Sequence, residues 1–302
     1  MGAGGRTPLT GPRPHRVRLT DPIISVAELL ELESAPALGD VRWYLGEPDK
    51  GLAEFEAAHI PGAIYIDLES HLSAAQGPGR HPLPTRQVFA STMGSLGFGD
   101  SDLIVAYDDR GGAIAARLWW MLRDIGHRQV RVLDGGITAW RAAGHDVSSA
   151  VTPRPATTMT ISQPETRRIE RAALGPQLGT VNLLDARAPE RYRGDEEPID
   201  PVAGHIPTAR SASTADNLNA DETFLGAPDL RERFSALGVG GTQDTVVYCG
   251  SGVTACHNIL AIVRAGLPEP TLYPGSWSDW SSSGGDAATG PSPDSRLPTP
   301  DS

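Results

Sequence analysis

The chain has 302 residues, enough for two domains of ordinary size, and 39% of them are hydrophobic, enough to fill two cores. A net charge of -11 argues against nucleic acid and anionic membranes as partners, and no apolar run is long enough to span a bilayer. Two cysteines on one short stretch make no disulfide framework, which points to a reducing compartment, the cytoplasm.

Residues 1–18 are rich in Gly, Pro and Arg and carry no apolar segment, so they read as a disordered tail and not as a secretory signal. A first domain follows over 19–146. Within it, apolar runs predict strands at 103–107 and 130–133, with a helical pattern between them at 113–125. Strands alternating with helices predict an α/β fold, an open and mostly parallel sheet with helices on both faces. Ligands of such sheets sit beyond the C-terminal ends of the strands. A stretch of Ser, Thr and Pro at 147–164 reads as a linker, and a second domain spans 165–282. The Ser-, Gly-, Pro- and Asp-rich residues 283–302 read as a second disordered tail.

The two domains are copies of one unit. Ala58-His59-Ile60-Pro61-Gly62-Ala63 is echoed by Gly204-His205-Ile206-Pro207-Thr208-Ala209. The run ending Ala106-Tyr107-Asp108 is echoed by Val247-Tyr248-Cys249. Leu133-Asp134-Gly135-Gly136 with Trp140 is echoed by Tyr273-Pro274-Gly275-Ser276 with Trp277 and Trp280, and Asp40-Val41-Arg42 by Asp185-Ala186-Arg187.

The most informative stretch is Cys249-Gly250-Ser251-Gly252-Val253-Thr254-Ala255-Cys256. A buried strand at 245–248 delivers Cys249 to a tight loop, and a helical pattern starts at Val253. Backbone N–H groups of such a loop and of the helix start converge on one spot, an anion cradle in which a thiolate is stabilised. Gly250 and Gly252 let the backbone curl around the sulfur together with Val253, while Ser251 and Thr254 add hydroxyl donors. Cys249 is therefore the candidate nucleophile, and covalent double displacement through it needs neither metal nor organic cofactor. Cys256, inside the helix, reads as a packing residue. The first copy has Asp108 where the nucleophile stands, so it reads as a wall of the cleft, with Arg110 presenting charge toward the site.

The duplicated His-Ile-Pro segment, the Asp-Gly-Gly…Trp block and the Cys249 loop resemble the two-domain rhodanese-type sulfurtransferases over residues 19–281. The resemblance implies that Cys249 takes a sulfane sulfur from a small donor, becomes a persulfide and passes the sulfur to a thiophilic acceptor. Cyanide, thioredoxin or another thiol would serve as acceptor. It implies an inactive first domain, in agreement with Asp108. The two copies are expected to pack as one pseudo-symmetric monomer. The loop is similar to that of mercaptopyruvate enzymes, whereas thiosulfate enzymes resemble Cys-Arg-Lys-Gly-Val-Thr, in which two cations hold a dianion. Arg191 matches the family arginine that binds donor anions. A second arginine usual in mercaptopyruvate enzymes is replaced by Ile199, which leaves thiosulfate open. Some members are proposed to support the loop serine with a histidine and an aspartate, and His59 with Asp49 and Ser251 would fill that pattern. Arg187 is expected to form an ion pair within its own domain.

Two other classes bear on this loop. A partner-specific persulfide relay would use the same Cys249. A phosphatase of related fold needs an arginine where Ala255 stands, which argues against that chemistry.

Overall fold

A computed structural model describes residues 21–291, so the tail expected at 1–18 lies outside the described residues. The first half contains β1 (Ile23–Ile24), α1 (Val26–Leu30), β2 (Ala37–Asp40), α2 (Lys50–Ala57), β3 (Ile64–Tyr65), α3 (Arg86–Ser95), β4 (Ile104–Tyr107), α4 (Ala115–Asp124), β5 (Val130–Leu133) and α5 (Gly136–Ala142). The second half contains β6 (Arg167–Arg168), α6 (Arg171–Leu174), β7 (Asn182–Asp185), α7 (Pro189–Arg193), β8 (Arg210–Ser211), α8 (Ala227–Ala236), β9 (Thr245–Tyr248), α9 (Ala255–Arg264), β10 (Thr271–Leu272) and α10 (Ser276–Ser282).

Each half is a five-stranded parallel sheet, ordered β1-β5-β4-β2-β3 in one and β6-β10-β9-β7-β8 in the other. The central pairings carry the same register: Ala37 opposes Ile104 as Asn182 opposes Thr245. Helices cover both faces, and this is why the strands read as unbroken apolar runs. Along β4, Ile104 and Ala106 face α3 and α4, while Val105 and Tyr107 face α2 and α5. The β9 strand alternates likewise, Val247 toward α8 and α9, Val246 and Tyr248 toward α10.

The predicted strands at 130–133 and 245–248 coincide with β5 and β9. The helix predicted over 113–125 is shorter. The Asp108 carboxylate gathers the amides of Arg110, Gly112, Ile114 and Ala115, so the chain wraps around it before α4 begins at Ala115.

One apolar core runs through both halves, because α4 and α9 pack on one another as well as on their own sheets. Trp119, Trp120 and Leu118 of α4 share it with Ile259, Leu260 and Ile262 of α9. Polar ties close the rim of the interface. Arg123 grips Glu269 with two bonds of 2.7 and 2.8 Å, and the Phe224 amide donates to Asp134 at 2.8 Å.

The segment from 283 is not a disordered tail as far as 291. His205 and Ala288 exchange backbone hydrogen bonds of 2.8 and 2.9 Å, the Gly290 amide donates to Arg193 O, and Ala288 is buried. The first copy does the same with His59 and Ser148. In both copies a tryptophan Nε1 also clasps the returning chain, Trp140 to Asp146 O and Trp280 to Asp286 O. Composition alone hid this, since only backbone groups make the pairing. The stretch at 147–164 forms no helix or strand and lies along the first domain, with Thr157 N donating to Gly94 O and Met159 buried.

Candidate active site

Strand β9 ends at Tyr248 and places Cys249 at the C-terminal edge of its sheet, on the floor of a cleft of about 260 Å3 between the halves. Cys249 is only 1% exposed, so the sulfur is reached through the cleft alone. The Gly252 amide donates to Cys249 Sγ at 3.1 Å. Gly252 has a φ of +75°, and a Cβ there would sit 2.3 Å from Pro274 O, so the turn that aims its N–H at sulfur requires glycine. Ser251, Val253 and Thr254 line the same cleft.

The Cys249 backbone is held from behind. Cys249 N donates to Ser276 Oγ at 3.1 Å, and that hydroxyl donates to Tyr273 O at 2.9 Å. Ser276 is wholly buried and sits in the left-handed region with a φ of 54°, where the first copy has Gly136 at 53°. A serine tolerates that strain here because its hydroxyl takes up the Cys249 amide.

The first copy reveals what the cradle binds. Asp108, the counterpart of Cys249, is wholly buried and its two oxygens accept four backbone N–H groups at 2.8 to 2.9 Å. The same loop architecture thus gathers backbone N–H groups on an acidic side chain in one copy, where burial raises the Asp108 carboxyl against the pull of those four amides, and carries a thiol in the other.

Two arginines face the loop. A Cβ built on Gly250 would lie 2.9 Å from Arg80 Nη2 and 3.4 Å from Arg191 Nη1, so both guanidinium groups border the mouth of the cradle. Behind them, Asp200 bridges the pair: one oxygen accepts from Arg80 Nη1, the other from Arg191 Nη2 at 3.1 Å. Glu197 holds Arg191 from the other side at 2.7 Å; burial raises its carboxyl, but the Arg191 guanidinium and the amides of Ile199 and Asp200 bring it below the usual range. Ile199 also lines the cleft. A second guanidinium beside Arg191 is thus supplied by Arg80 of the first half. Arg187, 3% exposed, makes its ion pair with Asp185 of its own domain, as expected, and also borders the cleft.

Ser251 pairs with a histidine, but not with His59. His81 Nδ1 lies 2.7 Å from Ser251 Oγ, and His81 Nε2 lies 3.0 Å from Glu69. With Nε2–H donating to the Glu69 carboxylate, Nδ1 accepts from the Ser251 hydroxyl. Burial pushes the His81 imidazole below its usual range, against the pull of Glu69. His59 instead donates from Nδ1 to Phe55 O at 2.7 Å and stacks on the Phe55 ring, wholly buried. His205 repeats that arrangement on Tyr192, so the duplicated histidine belongs to the fold. Asp49 is exposed at the start of α2 and does not line the cleft. Arg110 is exposed too: its guanidinium lies over Tyr44, 4.9 Å from the ring centre, and it does not line the cleft.

Sequence reasoning missed Arg80, His81 and Glu69. The available signal was Gly77-Pro78-Gly79-Arg80-His81-Pro82, an arginine–histidine pair in a Gly/Pro loop with no counterpart in the second copy. A hollow of similar size, about 300 Å3, is lined by Leu52, Phe55, Val151 and Pro153 and shares no residue with the cleft. It is mainly apolar and has no cysteine in its lining, so size does not make it the site.

Comparison with known proteins agrees with this geometry. The Rhodanese-like domain model matches residues 25–143 and again 171–283. A probable 3-mercaptopyruvate sulfurtransferase of Pseudomonas aeruginosa is 47% identical over 80% of this chain and 87% of its own length. The thiosulfate sulfurtransferase of Bos taurus is 34% identical over 80% of this chain and 83% of its own. Among solved structures, 3-mercaptopyruvate sulfurtransferase from Leishmania major superimposes with a TM-score of 0.78 at 29% identity, covering 87% of this chain and 74% of that one. With two such domains, a loop cysteine in the second and an aspartate in its place in the first, the chain belongs to the two-domain rhodanese-type sulfurtransferases.

Proposed function

We propose that this sulfurtransferase carries sulfur as a persulfide on Cys249, taken from a small anionic donor and given to a thiophilic acceptor such as cyanide or a thiol. The observation that carries the reading is Cys249 Sγ on the Gly252 amide, at the floor of a cleft bordered by Arg80 and Arg191. The donor's carboxylate lies on the two guanidinium groups, which bring its sulfur over Cys249. With 3-mercaptopyruvate, the Cys249 thiolate attacks the donor sulfur and the C–S bond breaks, its electron pair leaving as the enolate of pyruvate. The donor's S–H proton ends on that carbon, and the Cys249 persulfide anion remains in the cradle. The Ser251 hydroxyl, oriented by His81 and Glu69, supplies a hydrogen bond to the developing enolate oxygen. Attack by the acceptor on the outer sulfur restores the Cys249 thiolate.

The Ser251–His81–Glu69 chain supports 3-mercaptopyruvate as the preferred donor, because thiosulfate has no carbonyl for it to polarise. Thiosulfate is the second reading, favoured by the two arginines at the loop; its outer sulfur would pass to Cys249 with sulfite leaving. The reading places the chain in a reducing compartment such as the cytoplasm, where both cysteines stay free, and as a monomer. No described helix is long and apolar enough to cross a membrane.

Steady-state sulfur transfer to cyanide with both donors tests the reading. A larger kcat/KM for 3-mercaptopyruvate is expected, with Cys249→Ala inactive toward both; turnover by Cys249→Ala would overturn it. A wild-type enzyme slow with every small acceptor and fast only with one protein would replace it by the relay reading.

A further inference from the structure

Arg117 of α4 is wholly buried where the two halves meet. Its Nη1 donates to Gly252 O at 3.1 Å, and its Nη2 donates to Leu72 O at 3.0 Å and His81 O at 2.8 Å. Its Nε has no hydrogen-bond partner, and no carboxylate pairs with it among the described residues. Burying a cation without an anion is costly, and carbonyl dipoles only partly compensate. An anion beside it at some stage of the work would offset that cost.

Burial pushes the Arg117 guanidinium below its usual range, and two thiols, Cys256 and Cys249, act against that shift. Cys256 cannot supply the anion, because burial pushes its thiol up to about 12 and its Sγ donates to Gly252 O at 3.5 Å. Cys249 remains. Its loop bears no cation of its own, being Gly250, Ser251, Gly252, Val253 and Thr254. Arg117 also contacts the loop at a significant atom. The Gly252 carbonyl and the Val253 N–H belong to one peptide unit, so a guanidinium on the carbonyl strengthens that N–H as a donor. Val253 stands four residues beyond Cys249, as Gly112 stands four beyond Asp108, and Gly112 N donates to the Asp108 carboxylate at 2.9 Å. The third contact, His81 O, ties the segment bearing Arg80 and His81 to the same guanidinium.

We propose that Arg117 is the counter-charge of the sulfur loop, a positioning residue that acts through the Gly252–Val253 peptide and the His81 segment to hold an anionic sulfur on Cys249. For the persulfide, though not for the thiolate, this rests on the sulfur-transfer reading above.

The test compares the full-length wild type with Arg117→Lys, which keeps a cation, and Arg117→Met, which keeps bulk without charge. Two readouts are taken at one neutral pH: the rate at which iodoacetamide alkylates Cys249, located by peptide mass, and the survival of sulfane sulfur after excess donor is removed. Arg117→Met is expected to alkylate about tenfold slower and to lose its sulfur faster, with Arg117→Lys recovering most of both. Arg117→Met matching the wild type, or both variants failing equally while folded, would overturn the proposal. Should Arg117→Met not fold, Arg117→Lys decides: alkylation within a few-fold of wild type supports it, and a tenfold loss overturns it. A wild type that alkylates but never loads sulfur would refute the persulfide reading and leave the alkylation arm to judge Arg117.

Discussion

His81 and Ser251 bring the two halves together at the scale of single residues. Because burial holds the imidazole below its ordinary range, it is neutral near pH 7 and accepts the Ser251 proton. The bond is lost only when pH falls through that depressed value. The kcat/KM for 3-mercaptopyruvate should therefore fall on acidification at a lower pH than an unperturbed histidine would set. His81→Ala should lower it by about ten- to a hundredfold at neutral pH and affect thiosulfate far less. An equal loss with both donors would contradict a role for His81 at the carbonyl. His59→Ala should cost stability and leave the donor ratio unchanged, since His59 packs on Phe55. The repeat drew attention to His59 in the sequence, yet a motif present in both copies marks what both share, which is the fold. The pair confined to one copy, Arg80 and His81, carried the information about the cleft.

At the scale of elements, helix α4 has two tasks. It covers its own sheet, and with α9 it forms the seam of a core common to both halves. Trp120 is wholly buried in that core, so Trp120→Ala should cost about 3–5 kcal/mol. Calorimetry should show the whole chain moving as a single transition to lower temperature; an unmoved second transition would contradict the shared core. The first residue of α10 makes a complementary case. Ser276→Ala keeps the positive φ and loses the hydroxyl that takes the Cys249 amide, whereas Ser276→Gly relieves the backbone and loses the same bond. Both should lower kcat about tenfold, with the glycine variant the more stable by about 1 kcal/mol or less. The central strands β4, β5 and β9 and helix α4 were legible because they are apolar runs buried on nearly every side. The returning chain at Ala288 was not legible, because backbone pairing leaves no mark in side-chain pattern.

The whole molecule depends on the interface, and its acid sensitivity can be worked out from His257. This buried histidine donates from Nε2 to Gly111 O across the seam at 3.0 Å, and Asn217 Nδ2 lies 3.2 Å from its Nδ1. Burial lowers it from 6.5 to about 4. Between those values the unfolded chain binds the proton and the folded chain does not, so stability rises with pH across that window. The contribution, on the order of 3 kcal/mol, is full above about 6.5 and is lost as pH falls toward about 4. Melting temperature against pH should show this slope, and His257→Gln should flatten it. The duplication, the parallel α/β sheets and Cys249 were all legible in the sequence, because each rests on a local pattern. The first half's contribution to the cleft was not, since Arg80 and His81 meet Ser251 and Arg191 only across the two halves, and no periodicity reports that meeting. The central claim is the sulfur on Cys249. Intact mass of the full-length chain after treatment with 3-mercaptopyruvate, followed by peptide mapping, tests it most directly. One added sulfur atom on Cys249, removed by cyanide and absent from Cys249→Ala, is the predicted result. No added mass while pyruvate is released, or sulfur found on Cys256 instead, would contradict it.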